Sequence, residues 1–177
     1  LKPFKDICEH IVNRNSAQKC DVLMFFDYPA DEDVMQNLMT TVAPDAIHYM
    51  RYQNNKYNEE QILKMFSGMI RYTCNTLDGN FDLERASTAL GVNNPVIETM
   101  LEMFEDTGMI KIKERHEDAF KIEFLQAVEL SKTLHTMKYA EFVELMNTIN
   151  DYKLQEQYMQ SVYTMDEHTR RLRHDMK

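Results

Sequence analysis

The stretch DLERASTALGVNNPVIETMLEMFEDTGMIKIKERHEDAFKIEF, Asp82–Phe124, decides the fold. Asp82 can cap a short helix, Leu83 to Leu90, which Gly91 stops. Asn94 caps a second helix, and Pro95 opens it at its favoured first position. That helix runs to about Thr107 with Val96, Ile97, Met100, Leu101, Met103 and Phe104 inward, and Gly108 ends it. Met109–Lys113 then alternates, Glu114–Asp118 is polar, and Ala119–Phe124 alternates again, which is the pattern of a β-hairpin. A further helix lies just upstream. Asn58 begins it with Gln61 placed for a capping box, and Asp78-Gly79 closes it. Ile62, Leu63, Met65, Phe66, Met69 and Ile70 give it a wide apolar face. Three helices followed by a hairpin predict a winged helix over 58–124.

Residues 1–57 follow a different pattern. Phe4, Ile7, Cys8, Ile11 and Val12 fall near helical spacing from Pro3 to about Asn13. Cys20–Asp27 is apolar on both faces and reads as a buried strand. Asp31 can cap the next helix, with Glu32 and Asp33 in the first turn and Val34, Met35, Leu38, Met39 and Val42 as its buried stripe. Pro44-Asp45 ends that helix, and Ala46–Tyr52 reads as a second strand. Strand, helix and strand over about thirty residues predict a parallel, Rossmann-like βαβ unit. A two-stranded sheet is too small to stand alone, so this unit reads as truncated. The chain starts at Leu1 rather than Met, which fits a piece of something longer. At the other end, 125–177 divides into an arm, Gln126–Thr133, and a helical segment from Leu134. That segment reads as one long helix to about Val162, or two broken near Asn150-Asp151, with Met137, Phe142, Val143, Leu145, Met146 and Ile149 on one face and a basic, frayed end. The fold class expected is mixed α/β.

Composition narrows the function. Of 177 residues, 20 are Lys or Arg and 29 are Asp or Glu, a net charge of −9. That balance disfavours a bulk phosphate-binding surface. The longest apolar run, Val22–Phe26, is far too short to cross a bilayer, and no signal segment opens the chain. Cys8, Cys20 and Cys74 are odd in number and scattered, as expected of reduced thiols in the cytoplasm. Neither they nor the six His residues have zinc-ligand spacing. The 14 Met residues fall mostly at helical core positions. No P-loop, G-x-S-x-G or H-E-x-x-H occurs, and Arg115-His116-Glu117-Asp118, the nearest thing to an acid–base cluster, sits on a solvated turn.

The charge is unevenly distributed. Residues 82–107 carry one basic and six acidic side chains, a net of −5. Asn94–Thr107, the helix a winged helix would place in the major groove, has Glu98, Glu102, Glu105 and Asp106 but no Lys or Arg. The hairpin is the opposite case. Lys111, Lys113, Arg115 and Lys121 are candidate contacts to single-strand phosphates or to an acidic partner tail, although Glu114, Glu117, Asp118 and Glu123 cancel their sum, and the same residues also read as an ordinary solvated hairpin. Arg170, Arg171 and Arg173 invite the same two readings. The turn after the first strand lacks the Gly and Lys of a nucleotide site. Its Asp27 and Asp31 could instead hold a divalent metal, or simply belong to a scaffold with a well-capped helix. A small nucleotide- or metal-binding protein is thus a third class beside a docking module and a DNA regulator.

The segments Val22–Pro29 and Ala46–Tyr52 resemble the C-terminal region of the RecJ family from Gram-positive bacteria. The later features fall in the same order: Asp82-Leu-Glu-Arg with Leu90-Gly91, then Phe104-Glu-Asp-Thr-Gly-Met-Ile110, then Val128-Glu-Leu-Ser-Lys-Thr133 before a long helix. RecJ proteins are 5′ exonucleases specific for single-stranded DNA, acting in recombination and repair. The resemblance implies a non-catalytic accessory region of such an enzyme. The family's divalent metal is held by an Asp-His-His motif and other acidic residues in a catalytic core, and this chain has no Asp-His-His. No cofactor and no catalytic residue are therefore expected here. The partners implied are the rest of the nuclease, single-stranded DNA, and single-strand-binding protein or another repair protein, with no membrane. The alternative is a stand-alone winged-helix DNA-binding regulator.

Overall fold

The computed structural model describes residues 12–49 and 58–175, with side chains described as far as Ser161. The fold is mixed α/β. A 3-10 turn, Arg14–Ser16, leads into β1 (Val22–Phe25), α1 (Glu32–Val42) and β2 (Ala46–Tyr49). The two strands pair in parallel, Val22 opposite Ala46 through Phe25 opposite Tyr49. Asp31 caps α1 by accepting from the Val34 N–H at 2.9 Å, and Ala43, in the left-handed region at φ 45°, ends it. The expected helix over 3–13 and the end of the second strand, 50–52, fall largely outside the described residues.

One expectation for this unit is corrected. The first strand is not buried on both faces: Val22 and Met24 are 54% and 50% exposed, whereas Phe25 is buried and Leu23 half-covered. The sequence is apolar at every position, but a two-stranded sheet offers cover to only one face. The α1 stripe likewise has the expected helical period, with only Val42 fully buried.

The second unit opens with α2 (Glu59–Thr76), whose Asn58 and Gln61 form a reciprocal capping box. Asn58→Ala removes the acceptor for the Gln61 N–H and should cost about 1 kcal/mol. A urea denaturation midpoint unchanged by that substitution would show that the box is idle. A short strand that the sequence pattern did not announce, β3 (Asn80–Asp82), follows. Then come α3 (Leu83–Leu90), capped by Asp82 and stopped by Gly91, and α4 (Asn94–Asp106). The cap of α4 is Asn93 rather than Asn94. Its side chain accepts from the Val96 N–H, which puts Pro95 at the second helical position.

β4 (Ile110–Arg115) and β5 (Ala119–Phe124) form the expected antiparallel hairpin, and β3 joins the far edge of β5 to give the order β3-β5-β4. A 3-10 turn, Leu130–His135, crosses to α5 (Tyr139–Asp175), a single unbroken helix. It starts later than the expected Leu134, so Met137 lies before it and is almost fully exposed.

The core lies in this second unit. Ile62, Leu63, Phe66 and Ile70 from α2 meet Val96, Ile97, Met100, Leu101, Met103 and Phe104 from α4, with Phe81, Met109 and Ile110 beside them. Phe142, Met146 and Ile149 bring the first half of α5 into the same cluster. Met65, expected inward, lies on the outer side of α2. The two units meet through Ala30, which joins that core cluster, and through polar ties: Arg14 to Glu84 and Ser87, Thr88 to Asn15, Asn93 to Asp31, and Lys153 to Asp27. No helix among the described residues is long and apolar enough to cross a membrane.

Candidate functional site

Lys111 and Lys113 are exposed on β4, while Ile110 is buried and Ile112 half-buried, as alternation requires. The register then slips between Ile112 and Glu114. This bulge changes which way the end of the strand faces. Arg115 now pairs with Phe120 and shares its inward face instead of continuing the Lys111–Lys113 row. Its guanidinium lies 5.8 Å from the Phe120 ring centroid and meets Glu102 at 3.5 Å and Glu105 at 3.7 Å, both on α4.

The other cations are also engaged. Lys113 Nζ lies 2.6 Å from Glu123 Oε2. Lys121 Nζ donates to the Asp78 carboxylate at 2.8 Å, to the Asp78 carbonyl, and to Asn80 Oδ1 at 3.3 Å. The hydrogen bond from Lys121 holds the Asp78 carboxyl below its usual range, and that from Lys113 does the same for Glu123. Lys111 stands opposite Glu123 in the ladder and makes no ion pair among the described residues. Arg170, Arg171 and Arg173 lie on the α5 backbone, and their side chains are outside the described set.

The carboxylates of α4 are structural ties. Glu105 Oε1 accepts from the Ile112 N–H at 2.8 Å, on the open edge of β4. Glu102 takes Arg115 on one side and Lys138 on the other at 3.0 Å, and Lys138 also meets Glu141 at 2.8 Å. One carboxylate thus links α4 to the hairpin and to the start of α5. Burial raises the Glu102 pKa, but hydrogen bonds from Lys138 and Arg115 outweigh it and leave the group below its ordinary value.

A lowered folded pKa means stability that is complete above the unfolded value of 4.5 and lost as the pH falls through the folded one. Between about pH 5 and pH 3 the thermal midpoint of the chain should therefore fall more steeply than that of Glu102→Gln. Parallel curves for the two proteins would show that the Glu102 links carry no stability.

At the carboxyl ends of β1 and β2, Phe25 and Tyr28 stack on Tyr49 with centroids 5.1 and 5.2 Å away. Burial, then the nearby Glu156 charge, pushes the Tyr49 phenol up to about 12. The two candidate metal carboxylates are both in use. Asp27 Oδ2 pairs with Lys153 at 3.1 Å, and Asp31 caps α1 and accepts from Asn93 at 2.8 Å. No group of three His, Cys, Asp or Glu side chains among the described residues is arranged to hold a metal ion. Beside them an open cleft of about 510 Å³ separates α1 from the α3–α4 turn, lined by Arg14, Asp31, Asp33, Glu84, Asn93 and Asn94.

Sequence reasoning did not reach Arg14, Lys138 or Lys153, because each bridges elements far apart in the chain. Alternation along β4 was the local signal for which way its cations face, and the bulge between Ile112 and Glu114 broke it at Arg115. No family model, no curated protein and no solved structure matches this chain.

Proposed function

We propose that this chain is a non-catalytic accessory module of a RecJ-like 5′ single-stranded-DNA exonuclease in recombination and repair, and that it works by docking a partner protein. In this reading α2 to α4 with the β3-β5-β4 sheet are a winged helix. β1-α1-β2 is a Rossmann-like unit that the rest of the nuclease completes. The divalent metal belongs to the catalytic core of that enzyme, and the setting is cytoplasmic.

The observation that carries the docking reading is the state of α4. A winged helix that reads duplex DNA keeps the outer face of this helix free for the major groove. Here the N-terminal half of α5 and the Leu130–His135 turn pack against α4, and the outer strip left to it is Pro95, Glu98 and Asp106. Two of those three are acidic, which repels a duplex. The hairpin supports the same reading, since Lys113, Arg115 and Lys121 are engaged by the chain's own carboxylates. A stand-alone winged-helix DNA-binding regulator is the second reading. Lys111, exposed and without an ion pair among the described residues, is the observation in its favour, and it would equally serve a single-strand phosphate.

The test is a nuclease assay on the purified chain with Mg²⁺ or Mn²⁺ and single-stranded DNA. No degradation is expected. Degradation by a preparation shown free of contaminating nuclease overturns the accessory role. The coding sequence upstream of Leu1 tests the parentage, for which an Asp-His-His phosphoesterase is expected; an unrelated domain there would end it.

A further inference from the structure

The outer face of α2 combines three features that the fold does not need. Met65 and Tyr72, seven residues apart, are large apolar side chains left 40% and 53% exposed. Lys64 and Arg71, also seven apart, form a parallel row beside them, exposed and without an ion pair among the described residues. Between the rows sits Gly68, in mid-helix, with open space where a Cβ would be. A glycine there is less favourable than alanine by helix propensity, and no neighbour among the described residues requires it. The face is therefore a shallow trough two turns long, apolar on one rim, cationic on the other, and lowest where backbone can approach most closely.

We propose that this trough docks an acidic amphipathic helix of a partner protein. The helix would cross at Gly68, set apolar side chains against Met65 and Tyr72, and place carboxylates beside Lys64 and Arg71. Charge complementarity chooses the sign of the partner, since a basic helix would meet two free cations. The apolar rim chooses protein over nucleic acid, because a phosphate backbone gains nothing from Met65. The missing Cβ chooses a helix, whose close packing rewards small residues at the crossing point, as at other helix–helix contacts. This inference rests on the docking reading above and names the partner's chemistry.

The test uses the full chain, isotope-labelled for NMR, and three synthetic alanine-based peptides. The first carries two Leu seven apart and two Glu seven apart on the adjacent row. The second replaces the Glu by Lys, and the third scrambles the first. The acidic peptide should shift resonances of residues 61–75 and bind about tenfold tighter than either control. Gly68→Ala should raise the melting temperature, because alanine is the better helix former. The same substitution should weaken the acidic peptide by about tenfold. Lys64→Glu with Arg71→Glu should abolish that binding and admit the Lys peptide.

Equal binding by the three peptides, or undiminished binding to Gly68→Ala, overturns the proposal. So does displacement of the acidic peptide by a single-stranded oligonucleotide, which would reassign the trough to nucleic acid. A chain that cleaves DNA defeats the accessory reading whatever the peptides do. An inert chain that ignores the peptides defeats only this inference.

Discussion

Phe104→Ala is expected to lower the stability of the chain by about 3–5 kcal/mol, the range for emptying a fully buried aromatic site. Phe104 has no exposed surface. Its ring meets Phe66 edge-on, with centroids 5.2 Å apart and planes at 84°, and Phe66 meets Phe81 the same way at 5.8 Å. Three elements, α4, α2 and β3, are thus joined through two aromatic contacts, and neither neighbour is free to collapse into the space left by the other. In urea the midpoint should fall by about 1–5 M, taking a slope of about 1–3 kcal/mol per M. A loss under about 1 kcal/mol would mean that the inner side of α4 is not core. The prediction bears on function as well. With α4 held by the core on its inner side and by α5 and the 3-10 turn beside it, the strip left to face a groove is Pro95, Glu98 and Asp106, with Glu102 and Glu105 half-buried along it, and that strip is acidic.

Gly79→Ala should be nearly as damaging, at roughly 3 kcal/mol. Gly79 adopts φ +75°, where any side chain is strained by about 1–2 kcal/mol. A Cβ built there would also lie 2.1 Å from the Ile122 carbonyl oxygen, a backbone atom that cannot turn aside. The residue sits where α2 turns into β3, donating to the Thr73 carbonyl at 3.1 Å and accepting from the Ile122 N–H at 2.9 Å. Relieving the clash means parting β3 from β5. Amide exchange at Ile122 should therefore accelerate in Gly79→Ala. Unchanged exchange there, with unchanged stability, would contradict the close approach.

How far such features are legible in sequence depends on whether their cause is local. The caps were readable because Asp31, Asn58 and Asp82 each act on an N–H three residues ahead. The cap of α4 was misplaced by one residue because Asn93 and Asn94 are adjacent and equally suitable. Only the tie from Asn93 to Asp31, across the unit boundary, distinguishes them. β3 was invisible because three residues carry no period. The hairpin was readable and its charge was not. Lys111, Lys113, Arg115 and Lys121 read as candidate contacts, but the bulge turned Arg115 toward α4, and Glu102 and Glu105 had to be brought there by the fold. The acidic character of α4, first read only as repulsion of DNA, has a second cause. Two of its carboxylates fasten the helix to β4 and α5. Met65 was taken for core by its spacing, and nothing in the spacing distinguishes an apolar residue facing the core from one facing a partner.

The central claim is that this chain docks protein and does not read duplex DNA. Fluorescence anisotropy of a labelled duplex, titrated with the purified chain at low salt, tests it most directly. The account predicts no saturable binding, and no difference between the natural chain and one carrying Lys111→Glu and Lys113→Glu. Duplex binding that weakens steeply with added salt, and is lost on those two charge reversals, would contradict it.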